Sequence, residues 1–255
     1  MLPPGTVFVG VDTTAAHASF TYAVLDRTLR VVALAEAELD QVVTFLCDQP
    51  GALVAINAPS RLNAGLIREA AERDAAGKRQ VRGADVRVAE HELRDRGIMV
   101  SGTPAREASC AAWVRVGLNL YRRLNEADFE AYPAEDCPHQ MLETHPHAAF
   151  CALIGRLPLA KPSLEGRLQR QLALFERGVR IHDPMDFFEE ITRHKLLNGI
   201  LPAEAVYLPE QLDALVAAYT AWLAAEKTSE ISRLGADAEG WVYLPVPNLK
   251  ERYES

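Results

Sequence analysis

The sequence is poor in cysteine, and its few cysteines form neither a metal-type motif nor a disulfide framework. Four occur among 255 residues, namely Cys47, Cys110, Cys137 and Cys151. They lie far apart in apolar or helical surroundings, so we expect buried free thiols, as in proteins of the reducing cytoplasm. The first residues, Met1 to Gly5, lack the basic segment of a signal peptide, which also favours a cytoplasmic location.

Long hydrophobic runs and an excess of basic charge are missing as well. The most apolar stretch, 212–225, contains an aspartate and is too short to cross a bilayer, so we expect no membrane segment. The net charge of −8 argues against a protein that coats nucleic acid generally. Residues 61–96 and 160–180 each carry a small positive charge, which a basic face and a solvated helix surface explain equally well.

The composition, 49% hydrophobic and 24% charged, is typical of a globular protein with a substantial core. We expect one domain over residues 1–255. Three short apolar or alternating segments at 7–12, 19–26 and 29–35 predict an antiparallel β-meander. A helix to about Cys47 and a continuous apolar strand at 52–57 follow, giving a β-β-β-α-β order in which the last strand is covered on both faces.

The remainder of the chain reads as a mostly helical insertion followed by further strands and helices. The insertion covers about 61–138 and includes an amphipathic helix within 106–124. A buried strand at 140–143 comes next, and Pro146 suits the first turn of a helix. We expect further helices at 164–177, 185–197 and 210–225, and a closing strand at 239–244. The predicted class is therefore α/β, with a mixed sheet and helices on both faces.

Three carboxylates stand at the ends of apolar segments and have no basic residue four positions away: Asp12, Glu143 and Asp213. Acids at the edge of buried elements need a compensating positive charge. A divalent cation compensates several converging carboxylates, and hard oxygen ligands select Mg²⁺ or Mn²⁺. The sequence therefore predicts a metal site made by these three residues.

Structural roles would also account for each acid. Asp12 could hydrogen-bond the backbone of a local turn, and Glu143 could cap the helix after Pro146. Asp213 could interact with the dipole of the helix that it begins. A different metal site, Glu143-x-His145-x-His147 with zinc or manganese, would require an extended strand, which Pro146 interrupts.

Several segments resemble the predicted RNase H-like nucleases grouped as domain of unknown function 429. The matching pieces run in order along nearly the whole chain: Gly10-Val-Asp12, Ala55-Ile-Asn57-Ala-Pro59, Glu92-Leu-Arg94-Asp-Arg-Gly97, Glu143-Thr-His-Pro146-His-Ala-Ala-Phe150, Lys161-Pro-Ser-Leu-Glu165-Gly-Arg167, Leu212-Asp213-Ala-Leu-Val-Ala-Ala218 and Glu239-Gly-Trp241. The resemblance implies an RNase H-like fold and a metal-dependent phosphodiesterase activity. This chain departs from the family pattern at Asn57, where Asp is usual, and at His147, where Glu is usual.

Under that hypothesis two Mg²⁺ or Mn²⁺ ions would activate water and stabilise the phosphate and the leaving group. Asp12 would bridge the ions, Glu143 and Asp213 would complete their coordination, and Asn57 would offer a neutral oxygen. The candidate phosphate-contacting residues are Arg94, Lys161 and Arg167, with His145 orienting a carboxylate or phosphate.

Two other functions remain open at this point. One is a catalytically weak nucleic-acid-binding or regulatory module, which Asn57 and the acidic surface would permit. The other is an ATP-dependent phosphotransferase of the actin and sugar-kinase type, although the chain lacks a second glycine-rich phosphate loop. The kind of nucleic acid is also open, as is the choice between a monomer and a homodimer.

Overall fold

A computed structural model of the chain describes residues 2–13, 19–74 and 85–254. Its centre is a mixed sheet of eight strands with the order β3-β2-β1-β4-β6-β8-β7, and β5 also pairs with β6. The strands are β1 Val7–Asp12, β2 Phe20–Leu25, β3 Val31–Ala37, β4 Ala52–Asn57, β5 Glu130–Ala131, β6 His139–Thr144, β7 Ser232–Ala236 and β8 Gly240–Leu244.

Helices cover both faces of this sheet. They are α1 Leu39–Cys47, α2 Leu66–Asp74, α3 Val88–Asp95, α4 Ala112–Glu126, α5 Pro146–Ile154, α6 Leu164–Phe175, α7 Asp186–Glu190, α8 Arg193–Leu197 and α9 Pro209–Glu226. One core cluster lies between the sheet and helices α5 and α9, and another lies between the sheet and helices α1 and α4. Within the described ranges, no helix has the length and hydropathy that a bilayer crossing requires.

The predicted N-terminal meander is confirmed. Strands β1, β2 and β3 pair antiparallel, while β4 lies parallel to β1 with all six of its residues buried. The turn between β2 and β3 depends on Asp26, whose carboxylate accepts hydrogen bonds from the backbone N–H groups of Thr28 and Arg30. Local turn chemistry and the two-residue side-chain period thus fix this half of the sheet.

Three sequence predictions need correction. The single helix expected at 185–197 is two short helices, because Thr192 is extended and its side chain caps α8 by accepting from the Lys195 N–H. Strand β7, missed in the sequence, forms a hairpin with β8 through a turn at 237–239. All four cysteines are free, but Cys47 is exposed and Cys137 is only half-buried, so the expected burial holds for Cys110 and Cys151 alone. The part of the predicted insertion at 75–84 lies outside the described residues.

The strand register determines to which face of the sheet the side chains at the carboxyl ends of the strands point. Asp12 pairs in register with Asn57, whereas Glu143 pairs with Ile56. Register partners point to the same side of a sheet, and successive residues alternate. Asp12 and Asn57 therefore face α9, while Glu143 faces α4.

Helix α9 packs unusually close to β1, and Gly10 makes this approach sterically feasible. A Cβ at this position would lie 2.0 Å from the Ala214 carbonyl oxygen and 2.3 Å from the Ala218 nitrogen. Any side chain would therefore collide with helix backbone, which has little freedom to move within a buried core. The contact brings the start of α9, with Asp213, against the end of β1, with Asp12.

Candidate functional site

The candidate site lies where four parallel strands end at the same edge of the sheet. Strands β1, β4, β6 and β8 run parallel to one another, so their carboxyl ends share this edge. In open α/β sheets this edge is where ligands usually bind, since backbone and side-chain polar groups converge there. Asp12 and Asn57 are the last residues of β1 and β4.

Asp12 is completely buried and is joined to Asn57. The Asn57 amide nitrogen donates a 2.6 Å hydrogen bond to the Asp12 carboxylate. The neighbouring Thr13 hydroxyl donates to the Asn57 carbonyl oxygen at 2.9 Å, which holds the two strand ends together. An aspartate at position 57 would instead place a second negative charge directly against Asp12. The neutral amide of Asn57 therefore avoids a repulsion inside the site.

Asp213 reaches the same edge from α9. Burial, together with the negative charge of Asp12, raises the pKa of its carboxyl group to about 7, although Lys161 acts in the opposite direction. The Lys161 ammonium lies 2.6 Å from the Asp213 carboxylate and is partly exposed. Burial opposes the charge of Lys161, but Asp213 and Asp12 together raise its pKa. The structure thus brings Asp12, Asp213 and Lys161 into one electrostatic cluster.

Glu143 belongs to a different cluster. Its strand, β6, is separated from β1 by β4, so Asp12 and Glu143 do not lie on adjacent strands. The guanidinium of Arg87 binds both Glu143 oxygens, at 2.5 and 3.0 Å. The backbone N–H and the hydroxyl of Ser60 donate to one of these oxygens at 2.7 and 2.9 Å. Glu143 is therefore already neutralised by a buried cation, and it does not cap α5.

Arg87 is the functional candidate that the sequence reasoning missed. It is 2% exposed, and its pKa rises despite burial because of the charges of Glu143 and Glu90. Glu90 also accepts hydrogen bonds from the N–H and the hydroxyl of Thr103. Buried Glu239 accepts from the Val88 N–H at 2.7 Å. The available signal was Glu90, since a glutamate at the third helical position accepts from the backbone N–H of the residue before the helix, here Arg87.

The two histidines after β6 do not form a ligand ladder with Glu143. His145 is the N-cap of α5, and its Nδ1 accepts a hydrogen bond from the Ala148 N–H at 3.3 Å. Burial lowers the pKa of His145 to about 4, with a further contribution from His147. Helix α5 begins at Pro146, so the extended geometry needed for a zinc site is absent at these residues.

Two of the three predicted phosphate-binding side chains are committed to the protein's own backbone. Arg94 donates twice to the Val100 carbonyl oxygen, at 3.0 and 2.7 Å. Arg167 donates to the carbonyl oxygens of Tyr207 and Val206, at 2.7 and 2.6 Å. Each guanidinium thus fixes a loop, and only Lys161 lies beside the carboxylates.

The donor set around Asp12 suits one hard cation better than two. Across the described ranges, no group of three or more His, Cys, Asp or Glu side chains has an arrangement that could hold a metal ion. Asp12 and Asp213 remain as two carboxylates, with the neutral amide of Asn57 beside them. Mg²⁺ keeps several water ligands and is commonly held by one or two carboxylates, so this smaller set fits the ion's chemistry.

Comparison with protein families identifies one family whose model matches most of the chain. The matching family model is described as a protein of unknown function (DUF429) and covers residues 10–239. The chain belongs to the DUF429 family. That description names no activity, so DUF429 membership leaves the function to be argued from the chemistry of the site. No curated protein and no solved structure matches the chain.

Proposed function

We propose that this DUF429 protein is an RNase H-like, divalent-metal-dependent phosphodiesterase that acts on nucleic acid in the cytoplasm. The observation that carries the proposal is the pair of buried carboxylates, Asp12 and Asp213, at the carboxyl edge of the parallel strands. Burial and the negative charge of Asp12 raise the pKa of Asp213 to about 7 even though Lys161 is paired with it, so Lys161 does not fully compensate the two carboxylates. A site with this deficit favours a cation.

The fold gives independent support to the proposal. An antiparallel meander leads into parallel strands, with helices on both faces, and the resemblance to RNase H-like nucleases implies this architecture. Asp12, Asn57 and Asp213 would hold Mg²⁺ or Mn²⁺, and the ion would supply Lewis-acid stabilisation of a phosphate. Lys161, which is partly exposed beside Asp213, would contact the substrate phosphate. A second ion would require Glu143 to leave Arg87.

A nucleic-acid-binding module without catalysis is the second candidate, and specific contacts favour it. Glu143 is paired with Arg87, Asp213 is paired with Lys161, and Asn57 contributes no charge. Such internal compensation would let the site remain stable without a metal. The two candidates therefore differ in whether a divalent cation stabilises the protein.

The deciding experiment combines a metal titration with a cleavage assay. The wild type, Asp12→Asn and Asp213→Asn would be heated with EDTA, Mg²⁺ or Mn²⁺ and incubated with labelled single-stranded, duplex, hybrid and branched substrates. We expect metal to raise the melting temperature of the wild type by mass action and to support cleavage, with Mn²⁺ more effective because Asn57 is neutral. Both effects should be lost in the two variants.

The matched control is Asp186→Asn, which removes an exposed carboxylate in α7. It should keep both the metal response and the cleavage of the wild type. Cleavage that persists in the Asp12 and Asp213 variants would indicate a contaminating nuclease. Binding without a metal response or cleavage would overturn the proposal in favour of the binding module.

A further inference from the structure

A cavity of about 390 Å³ opens on the α4 side of the sheet, away from Asp12 and Asp213. It forms because two strands share one edge of β6. Strand β5 pairs with Gln140 and Met141, whereas β8 pairs with Glu143 and Thr144. Neither strand pairs with Leu142, and the gap between them opens beside this residue. The volume lies within the range of small-molecule sites, roughly 300–1,000 Å³.

One wall of this cavity is a fixed aromatic ring. The indole N–H of Trp241 donates to the Asp237 carboxylate at 2.9 Å, and the Arg233 guanidinium lies 4.3 Å from the ring centroid. Arg61 donates to the Asp237 carbonyl oxygen at 2.8 Å and so holds the turn that carries this carboxylate. One face and the polar edge of the indole are thereby occupied. The remaining ring surface is left to line the cavity.

The floor of the cavity is buried and contains a carboxylate group. Glu143 and Tyr121 both line it and are 4% and 6% exposed. Three of the four hydrogen bonds to the Glu143 carboxylate reach Oε2, while Oε1 accepts one, from Arg87. Each carboxylate oxygen has two lone pairs, and only one of those on Oε1 is engaged, so Oε1 can accept from another donor. The floor therefore favours a ligand that presents an N–H group.

We propose that this cavity binds a nucleobase that carries an exocyclic amino group. The ring would stack on the indole of Trp241, since aromatic side chains stack with any base. The amino group would donate to Glu143, because acidic side chains accept from the amino group of cytosine. The base comes either from a free nucleoside or from an unpaired position in a single strand. Glu143 is not among the proposed metal-holding residues, so the proposal stands without the phosphodiesterase activity.

The test measures nucleoside binding in EDTA, which separates it from any metal-dependent reaction. Saturation-transfer NMR and calorimetry with cytidine, adenosine, uridine and thymidine give the affinities. We expect cytidine and adenosine to bind at least about tenfold more tightly than uridine and thymidine, which lack the exocyclic amine. Equal affinities, or no binding of any nucleoside, would overturn the proposal.

Two variants locate the binding. Trp241→Leu removes the stacking wall and should weaken cytidine binding about tenfold or more. Trp222→Leu is its matched control, since this tryptophan stacks on Tyr219 outside the cavity and should leave the affinity unchanged. Ala131→Trp fills the cavity from an exposed position on its rim, so it tests the site without altering the core. Unchanged cytidine binding in both cavity variants would show that the site is wrong.

A short single-stranded oligocytidylate distinguishes the two sources of the base. Much tighter binding than cytidine, lost in Ala131→Trp, would identify an unpaired base in a strand as the ligand. Affinity equal to that of cytidine, also lost in Ala131→Trp, would identify a free nucleoside. Both results support the cavity as a base site. Oligonucleotide binding that Ala131→Trp leaves unchanged would count against it.

Discussion

The raised pKa of Asp213 makes the stability of the protein fall as pH rises. The native state holds the carboxyl proton up to about pH 7, whereas an unfolded chain releases it near the ordinary value of 3.8. The stabilising effect is complete below pH 3.8 and is lost as pH rises through about 7, because the native state binds more protons over that interval. Replacing Asp213 by Asn removes this dependence and keeps the side-chain shape.

The size of the effect follows from the two pKa values. The gap between 3.8 and about 7 corresponds to roughly 4 kcal/mol, of which about 3 kcal/mol falls between pH 5 and pH 8. The wild type should lose this amount relative to Asp213→Asn over that range. The pairing of Asp213 with Lys161 at 2.6 Å does not cancel the effect, because burial is the larger influence on the carboxyl group.

Urea unfolding at pH 5 and pH 8, in EDTA, measures the difference in the free energy of unfolding between the wild type and Asp213→Asn. The comparison cancels other titrating groups, such as His145, whose contribution runs in the opposite direction. Adding Mg²⁺ at pH 8 should restore stability to the wild type alone, since the cation compensates the ionised carboxylates. A difference between wild type and variant that stays constant from pH 5 to pH 8 would refute the reasoning.

Three further substitutions test neighbouring parts of the structure. His145→Asn keeps a good N-cap but removes a histidine with a pKa of about 4, so the wild type should lose about 2 kcal/mol relative to it between pH 7 and pH 4.5 in urea unfolding. Arg87→Ala should cost about 3–5 kcal/mol in the same assay by stranding Glu143, whereas Arg122→Ala, in an exposed pair with Glu107, should cost less than about 1 kcal/mol. Asn57→Asp should cost at least about 2 kcal/mol in EDTA and enlarge the Mg²⁺-dependent rise in melting temperature, since it adds a charge against Asp12.

For these three substitutions, the contradicting outcomes are equally specific. If the wild type and His145→Asn lost the same free energy of unfolding between pH 7 and pH 4.5, His145 would titrate normally in the folded protein. If Arg87→Ala and Arg122→Ala lowered the free energy of unfolding equally, the buried ion pair of Arg87 with Glu143 would stabilise the protein no more than a surface pair does. If Asn57→Asp were as stable as the wild type in EDTA, the new carboxylate at position 57 would not interact with Asp12.

The sequence was sufficient to predict the strands that carry strong local signals. The continuous apolar run at Ala52–Asn57 and the turn at Asp26 predicted their elements with nearly correct bounds, because side-chain periodicity and turn chemistry are local. It also singled out Asp12 and Asp213. The proximity of these two carboxylates depends on the close packing of α9 against Gly10. No local sequence pattern reveals that packing.

Glu143 shows why the predicted three-carboxylate site could not be checked from sequence. Its position at the end of a buried strand was predicted correctly, but the face to which it points depends on register. Pairing with Ile56 rather than with Asn57 turns its side chain to the other side of the sheet. Its partner Arg87 lies 56 residues away in sequence, so nothing near Glu143 reveals the pairing.

The contact between α9 and β1 at Gly10 also bears on which cation the carboxylates would accept. The backbone of α9 packs directly against Gly10 of β1 and so fixes the distance between the two elements. Asp12 and Asp213 therefore cannot easily move apart to suit a larger ion. Mg²⁺ needs oxygen ligands at about 2.0–2.1 Å, and Ca²⁺ needs them at about 2.3–2.6 Å. Enlarging Ala217 or Ala218, which have no exposure to solvent, would widen the gap and shift the preference towards Ca²⁺. Ion discrimination in this fold would then be adjusted through its hydrophobic core.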